Sequence, residues 1–370
     1  MPSSKQFVVV SLSFIPNIIV SNVYATGLNF WESSTTNSAL ASANGAKAVD
    51  ASILATAPSS MTQLTNTTLT ANVTRYQVDT DYSILGNESQ YSKSDPIPAG
   101  FLVTPINENW SFGLAMYSRT AADISVPEIF FIDEVRVRPV VVSFAPSVAY
   151  QWGNISIAMT AEYLYADYLF ERNDCNILGK CHWEETKGDT DGWSGAVSAT
   201  WLVNDMLSIA ATHRLESEFG DENIGFDLPS ITSVYASVEL IEGINWHSSY
   251  SLSRWKGKSI QYADYSDFIG LLKGSRHSNR YATSVEYRIG NLSFMAGVSL
   301  DQAIDAFGGD DVRYRLGAGY DFGQNLRVDV GGFVEKYATK ELNEKLGSYI
   351  ASVNVQNSGY GVSLGLTYQF

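Results

Sequence analysis

From Tyr360 to Phe370 the chain alternates without a break. Tyr360, Val362, Leu364, Leu366, Tyr368 and Phe370 are apolar, and the residues between them, Gly361, Ser363, Gly365, Thr367 and Gln369, are small or polar. A period of two puts one set on each face of an extended strand. The same pattern recurs upstream. Val312, Tyr314, Leu316, Ala318, Tyr320 and Phe322 alternate with Arg313, Arg315, Gly317, Gly319 and Asp321. Leu292, Phe294, Ala296, Val298 and Leu300 do so with Ser293, Met295, Gly297, Ser299 and Asp301. Shorter versions run through Trp193–Trp201, Tyr281–Ile289 and Leu326–Val330. Each such strand needs an apolar cover on one face and water or a polar lumen on the other.

The connections decide what that cover is. Fourteen strand candidates lie near 67–78, 98–106, 110–121, 134–151, 154–171, 190–203, 206–217, 230–241, 244–256, 278–289, 291–302, 312–322, 325–337 and 357–370. Short turns (Asn107-Glu108-Asn109, Trp152-Gly153, Asn204-Asp205, Glu242-Gly243, Gly290, Gly323-Gln324) alternate with long loops near 79–97, 122–133, 172–189, 218–229, 257–277, 303–311 and 338–356. Short turns at one end and long loops at the other mark an outer-membrane barrel, and an even strand count puts both termini on the short-turn side. A soluble sandwich has no reason to alternate its connections. Tyr150, Trp152, Tyr163, Tyr165, Trp193, Trp201, Tyr368 and Phe370 cluster near strand ends, as interfacial aromatic girdles do. The expected fold is therefore an all-β transmembrane barrel of about fourteen antiparallel strands over 66–370.

Composition agrees. Only 17% of the 370 residues are charged and the formal charge is -15, which argues against nucleic acid as a partner. Met1–Ala25 reads as an export signal: Lys5 is its one charge, Phe7–Val20 its apolar stretch, and Val23 and Ala25 the small residues before cleavage at Thr26. Pro16 and Asn17 interrupt that stretch, which is too short to span a bilayer. Beyond Ala25 no run of about eighteen apolar residues occurs, so no spanning helix is expected. The expected location is the outer membrane of a Gram-negative cell.

Thr26–Thr65 shows no strand alternation. Its small residues and few charges suit a plug in the lumen, since an empty fourteen-stranded barrel is an open pore; a disordered periplasmic arm is the alternative. Gly45-Ala46-Lys47-Ala48-Val49-Asp50-Ala51, then Ala57-Pro58-Ser59 and Met61-Thr62, resemble the N-terminal hatch of the outer-membrane long-chain fatty acid transporters, the FadL family, which includes aromatic-hydrocarbon importers. Val103-Thr104-Pro105-Ile106-Asn107 with Trp110-Ser111-Phe112-Gly113, then Asp227-Leu228-Pro229, Arg276–Tyr287 and Phe294–Asp301, extend the resemblance over nearly the whole mature chain. It implies a fourteen-stranded barrel plugged by an N-terminal hatch, with Gly45, Ala57, Pro58 and Ser59 in that hatch. It also implies passive, diffusion-driven uptake of hydrophobic compounds, long-chain fatty acids above all, caught by extracellular loops and released by hatch movement. Two departures stand out. Ala57 replaces the family's asparagine, and Tyr117-Ser118-Arg119-Thr120-Ala121 lacks the glycine that often kinks the family's third strand and opens the wall sideways.

A carboxylate ligand needs a cation. Carried over from the family, Arg172 and Arg276 are the candidate headgroup contacts. Arg276 shares parity with Arg280, and Tyr168 and Phe170 disturb the alternation before Arg172 in a way that suggests a bulge. Phe130, Phe131 and Ile132 form an apolar stretch in a loop and are candidates for the ligand's tail. Arg280, Arg288, Arg313, Arg315, Arg327, Glu162, Glu286, Asp301, Asp321, Asp329 and Glu335 are expected to face inward, mostly as salt-bridge partners. Cys175 and Cys181 share one loop and are expected to pair as a disulfide in an exported chain. No metal or cofactor is expected: His182 has no further ligands at useful spacing, and His182, His213, His247 and His277 are scattered. His247-Ser248-Ser249 has the wrong parity for a barrel lipase, so no enzyme is expected. The chain is read as a monomer in outer-membrane lipid. The competing readings are a plugged structural or adhesive barrel without transport and an open hydrophilic porin.

Overall fold

The computed structural model describes residues 29–84, 87–121, 124–126, 134–175, 181–220, 224–258, 260–262, 276–304, 310–338, 340–346 and 349–370. The expected export signal and the Phe130–Ile132 stretch lie outside them. Fourteen antiparallel strands form the wall. They are β1 Thr68–Ile84, β2 Asn87–Pro105, β3 Trp110–Ala121, β4 Glu134–Trp152, β5 Ile155–Cys175, β6 Cys181–Leu202 and β7 Leu207–Arg214. Then follow β8 Ile231–Ile241, β9 Ile244–Ser253, β10 Ser278–Ile289, β11 Leu292–Gln302, β12 Asp310–Asp321, β13 Leu326–Lys336 and β14 Tyr349–Gln369. Each strand pairs with its neighbours in sequence, and β1 pairs with β14 from Thr68↔Gln369 to Ile84↔Val353. That last ladder closes the ring.

The alternation read from the sequence is the orientation observed. On β14, Val362, Leu364 and Leu366 point outward and are exposed, while Ser363 and Thr367 point inward and are buried. The short-turn end is built by local chemistry. The Asn107 side chain accepts from the backbone N–H groups of Asn109 and Trp110, both at 2.9 Å. Asn204 does the same for Met206 and Leu207. Gly153, Gly243, Gly290 and Gly323 carry the positive φ that tight hairpins demand.

The long-loop end differs from the expectation. The stretches 79–97, 172–189 and 338–356 are not loops for the most part. β1 and β2 remain paired out to Ile84↔Asn87, and β5 and β6 out to Cys175↔Cys181. Lys340–Leu346 pairs with Tyr349–Val355. Within 218–229 and 257–277, Ile224–Leu228 lies between Ser217–Gly220 and Ile260–Tyr262 in a separate three-stranded sheet. Beyond the bilayer both faces of a ladder meet water, so backbone pairing continues without a period-two signal. The expected bulge before Arg172 is also absent. The β5 register runs unbroken through Tyr168–Phe170 against both neighbours. Tyr168, Leu169 and Phe170 are all buried, so apolar residues on both faces broke the alternation, not an inserted residue.

Glycines on the inner face let the N-terminal segment approach. A Cβ at Gly317 would lie 2.5 Å from that of Ala39, and one at Gly365 would lie 2.9 Å from the Thr35 hydroxyl.

Leu364 stands opposite Val73 and Val330 in an outward apolar row. Leu364→Arg is expected to cost about 2–4 kcal/mol if that row lies at the bilayer midplane. Urea unfolding from phospholipid vesicles measures it, and an unchanged midpoint would mean that this row does not face lipid.

Candidate functional site

Residues 29–65 are mostly buried against inward-facing residues of the wall, and their local structure is set by caps. Ser34 caps the short helix α1 (Thr35–Ala39), its hydroxyl accepting from Asn37 N–H at 3.0 Å. Asp50 caps the 3-10 turn Ala51–Ala55, accepting from Ser52 N–H at 2.8 Å, and also accepts from the Thr36 hydroxyl at 2.6 Å. Pro58 opens the next turn, Pro58–Gln63, as its fixed φ suits a first helical position. Ala57, which stands where the resembling family has asparagine, provides no side-chain cap there.

Three groups of contacts tie this segment to the wall. The first is ionic. Glu32 is buried and accepts from Arg313 at 3.0 and 3.1 Å and from Arg315 at 2.6 Å. Arg313 also pairs with Glu335 and Arg280 with Asp301, while Arg280 donates to the Ala41 carbonyl and stacks over Trp31. Burial alone would raise the Glu32 carboxyl, but the Arg313 and Arg315 guanidiniums outweigh it and hold it down at about 2. The second is polar. Ser59 N–H donates to the Ser198 hydroxyl at 2.9 Å, the Ser59 and Ser60 hydroxyls meet that of Thr200 at 2.7 and 2.8 Å, and Lys47 reaches Glu239 and Asn245. The third is apolar. Ile53, Leu54 and Met61 pack on Phe101, Val103, Ala115, Tyr117 and Ala145. Ala57 joins Ala46, Ala210 and Tyr235, and a Cβ at Gly45 would lie 2.7 Å from the Tyr235 ring.

One stretch of wall is incomplete. The β2–β3 ladder runs only from Pro105↔Ser111 to Gly100↔Met116. Beyond it β2 stays paired with β1 to Asn87, and β3 with β4 to Ala121. Pro96 and Pro98 occupy this part of β2 and offer no backbone N–H, so they are tolerated where the sheet has an edge. On the other side the β3–β4 register shifts between Ser118 and Thr120, which makes Arg119 a bulge residue without any glycine. The Arg119 carbonyl accepts from Phe30 N–H at 2.9 Å, so the N-terminal segment supplies a donor beside the missing ladder.

The bulge turns Arg119 inward. Its Nη1 donates to Glu162 of β5 at 2.5 Å, and Tyr117 donates to the same carboxylate at 3.1 Å. Arg214 of β7 has Nε 3.2 Å from Glu162, while its Nη2 donates to the Tyr117 hydroxyl and the Ala55 carbonyl.

The candidate residues are placed as follows. Gly45, Ala57, Pro58 and Ser59 all sit in the buried segment. The Arg172 backbone lies in β5 opposite Val135 and Glu184. Arg276 precedes β10, is exposed, and its N–H donates to the Ile304 carbonyl at 2.8 Å. Arg172 lies on β5 and Arg276 just before β10, five strands further round the ring. Cys175 and Cys181 face each other as register partners at the tip of β5 and β6, not across an open loop. Of the expected inward charges, Arg280, Arg288, Arg313, Arg315, Arg327 and Glu162 pair as anticipated. Asp321 does not: it lies exposed at the strand end and caps the turn by accepting from Gly323 N–H. Glu32, Arg119 and Arg214 were absent from the expectations. Glu32 had one signal, being the single carboxylate before Asp50 in a charge-poor segment.

Residues 17–370 match the family model described as outer membrane protein transport protein (OMPP1/FadL/TodX). A 168-residue stretch is 25% identical to outer membrane protein P1 of Haemophilus influenzae, covering 38% of this chain and 36% of that protein. The fold matches a Pseudomonas aeruginosa FadL homologue with a TM-score of 0.79 at 15% identity, over 93% of this chain and 100% of that one. The Pseudomonas putida toluene transporter TodX matches at 0.68 and 11% identity, over 90% and 97%. The Ralstonia pickettii toluene transporter TbuX matches at 0.64 and 12%, over 93% and 99%.

The depressed Glu32 carboxyl works in one direction. It favours the seated segment above about pH 4.5, its ordinary value, and this contribution is lost as pH falls towards about 2. Glu32→Gln is expected to cost about 3–5 kcal/mol of that seating at neutral pH and progressively less as pH falls towards about 2, since it leaves the buried Arg315 without a carboxylate and Arg313 with Glu335 alone. Conductance in planar bilayers should then rise at neutral pH in the variant and only under acid in the parent. A variant as closed as the parent at pH 7 would remove Glu32 as an anchor.

Proposed function

Because the chain belongs to the OMPP1/FadL/TodX family of outer-membrane transport proteins, channels for hydrophobic compounds, we propose that it imports long-chain fatty acids by passive diffusion. The observation that carries this reading is the incomplete β2–β3 wall beside a buried N-terminal segment. A hydrophobic molecule that enters the lumen from outside has a way into the bilayer there without crossing the polar periplasmic half. Residues 26–65 act as the hatch of a barrel formed by 66–370, after removal of 1–25. The Phe130–Ile132 loop captures the ligand, and Arg172 and Arg276 meet its headgroup on entry. Shifting the segment around Phe30 then frees the edge of β3. The sequence carries no phosphate-binding loop, so the gradient alone drives the flow. The barrel works as a monomer.

Uptake of labelled palmitate by cells lacking their own importer tests this. Expression of the barrel should raise uptake, and Arg172→Ala with Arg276→Ala should lower it several-fold. A gain that survives both changes keeps the function and discards those two residues. No gain, with the folded barrel found in the outer membrane, overturns fatty acid import.

A further inference from the structure

The outward surface of β8–β14 is not evenly filled. Two adjoining grooves of about 640 and 1030 Å³ indent it and meet at Thr283 and Val298. The register explains the hollow. Ala236, Ser248, Thr283 and Val298 stand in one outward row across β8, β9, β10 and β11, and the first three are short. Trp246, Tyr250, Tyr281 and Tyr314 line the same grooves with rings. Two of the short residues carry hydroxyls on a face that is otherwise apolar. Thr283 is satisfied: it accepts from the Trp246 indole N–H at 2.8 Å and donates to the His247 carbonyl at 3.1 Å. The half-buried Ser248 hydroxyl has no partner among the described residues. An unpaired hydroxyl in hydrocarbon is costly, so the molecule that covers this face offers a polar group at that level. Lys336 adds a charge. It is exposed at the outer end of β13, on the face of Val334 and opposite Val312, which lines the groove. It pairs with no carboxylate among the described residues. Asp310 stands two residues further out on β12, so the charge nearest the groove is positive.

We propose that this groove binds a phosphorylated glycolipid of the outer leaflet: a hydroxylated acyl chain lies along it with its hydroxyl on Ser248, and a phosphate meets Lys336. Each part of that molecule answers one feature of the face. The chain fills a hollow whose lining otherwise lacks contacts on one side. The chain hydroxyl gives Ser248 the partner that the barrel does not. The phosphate gives Lys336 a counter-charge where the strand leaves the bilayer. An ordinary phospholipid supplies the chain and the phosphate but leaves Ser248 unpaired. A second copy of the barrel fits less well, because a two-fold axis at this face sets hollow against hollow. The site lies on the outer wall and does not depend on what the lumen carries.

The test offers the purified barrel, in uncharged detergent, equal amounts of lipid A with hydroxyacyl chains and of phosphatidylethanolamine, and counts the retained lipids by native mass spectrometry. Folding of each variant is checked by heat-modifiable gel mobility. The parent should retain lipid A over phosphatidylethanolamine by about fivefold or more, as one added hydrogen bond would give. Ser248→Val should lower lipid A retention about fivefold and leave phosphatidylethanolamine unchanged, since that lipid has no chain hydroxyl to lose. Lys336→Gln should lower lipid A retention by a similar factor. Val148→Ala, on the outward face of β4, should change neither. Equal retention of the two lipids by the parent overturns the site, as does lipid A retention unmoved in the two folded groove variants. Barrels that pair through this face without lipid overturn it in favour of a second copy. None of these outcomes touches import, which the palmitate measurement decides.

Discussion

A bilayer offers no hydrogen-bonding partner to a polypeptide backbone, so a sheet within it must have no free edge. The β1–β14 ladder meets that demand, and most other features follow from it. Once the ring is closed, the strands need no layer packed against their outer face, because lipid covers it. The inner face is then free to be polar. It carries serines, threonines and paired charges where a soluble sandwich would carry leucine and valine. The stretch between β2 and β3 where the ladder stops short is therefore an informative place in the wall. There the cost is lowered from both sides: Pro96 and Pro98 leave fewer donors exposed on β2, and Phe30 gives the Arg119 carbonyl a donor from within.

A polar lumen also decides how its contents are held. An apolar plug in an apolar pocket would be fixed by buried area and released only at the cost of exposing it. Here the segment is divided. Around Ile53, Leu54 and Met61 it rests on Phe101 and Tyr117 and belongs to a small core. Around Phe30 and Glu32 it is held mainly by hydrogen bonds from Phe30 N–H and the Asn29 side chain and by an ion cluster, with ring contacts of Phe30 to Tyr76 and of Trp31 to Arg280. Ionic and hydrogen-bonded contacts can be exchanged for water or for another anion with little net loss. The two parts of the segment thus differ in what it takes to move them, and the more exchangeable part is the one beside the gap.

The sequence discloses what the bilayer enforces and little else. Lipid on one face and a lumen on the other impose period two, so the membrane parts of β10, β12 and β14 were legible residue by residue. Where both faces meet water the constraint ends, and the paired extensions of β1, β2, β5, β6 and β14 read as loops. Charges at inward parity were assignable, as Arg313 and Asp301 show, but their partners were not, because pairing across strands depends on register. Arg119 was illegible for a sharper reason. A bulge changes the face of a residue without changing its neighbours in sequence, and no glycine marks it. The prolines of Asp95-Pro96-Ile97-Pro98 were a readable sign of the same edge from the other strand.

The same barrel matches a FadL homologue and two toluene transporters at 11–15% identity, so one fold serves different substrates. What separates an anion from a hydrocarbon has to lie in side-chain charge along the path. A channel for neutral molecules does best with every buried charge paired, because an unpaired guanidinium holds water that the ligand must displace without replacing its hydrogen bonds. In this chain the pairing is tight on the wall of β10–β13, where Glu32, Glu335 and Asp301, three carboxylates, share the three guanidiniums of Arg280, Arg313 and Arg315. It is incomplete beside the gap, where Glu162 alone meets Arg119 and Arg214. Had the excess charge been incidental, the balanced cluster shows that the lumen has room to neutralise it. Its position near the short β2–β3 ladder makes the local charge, and not the fold, the place where an anion and a hydrocarbon would be told apart.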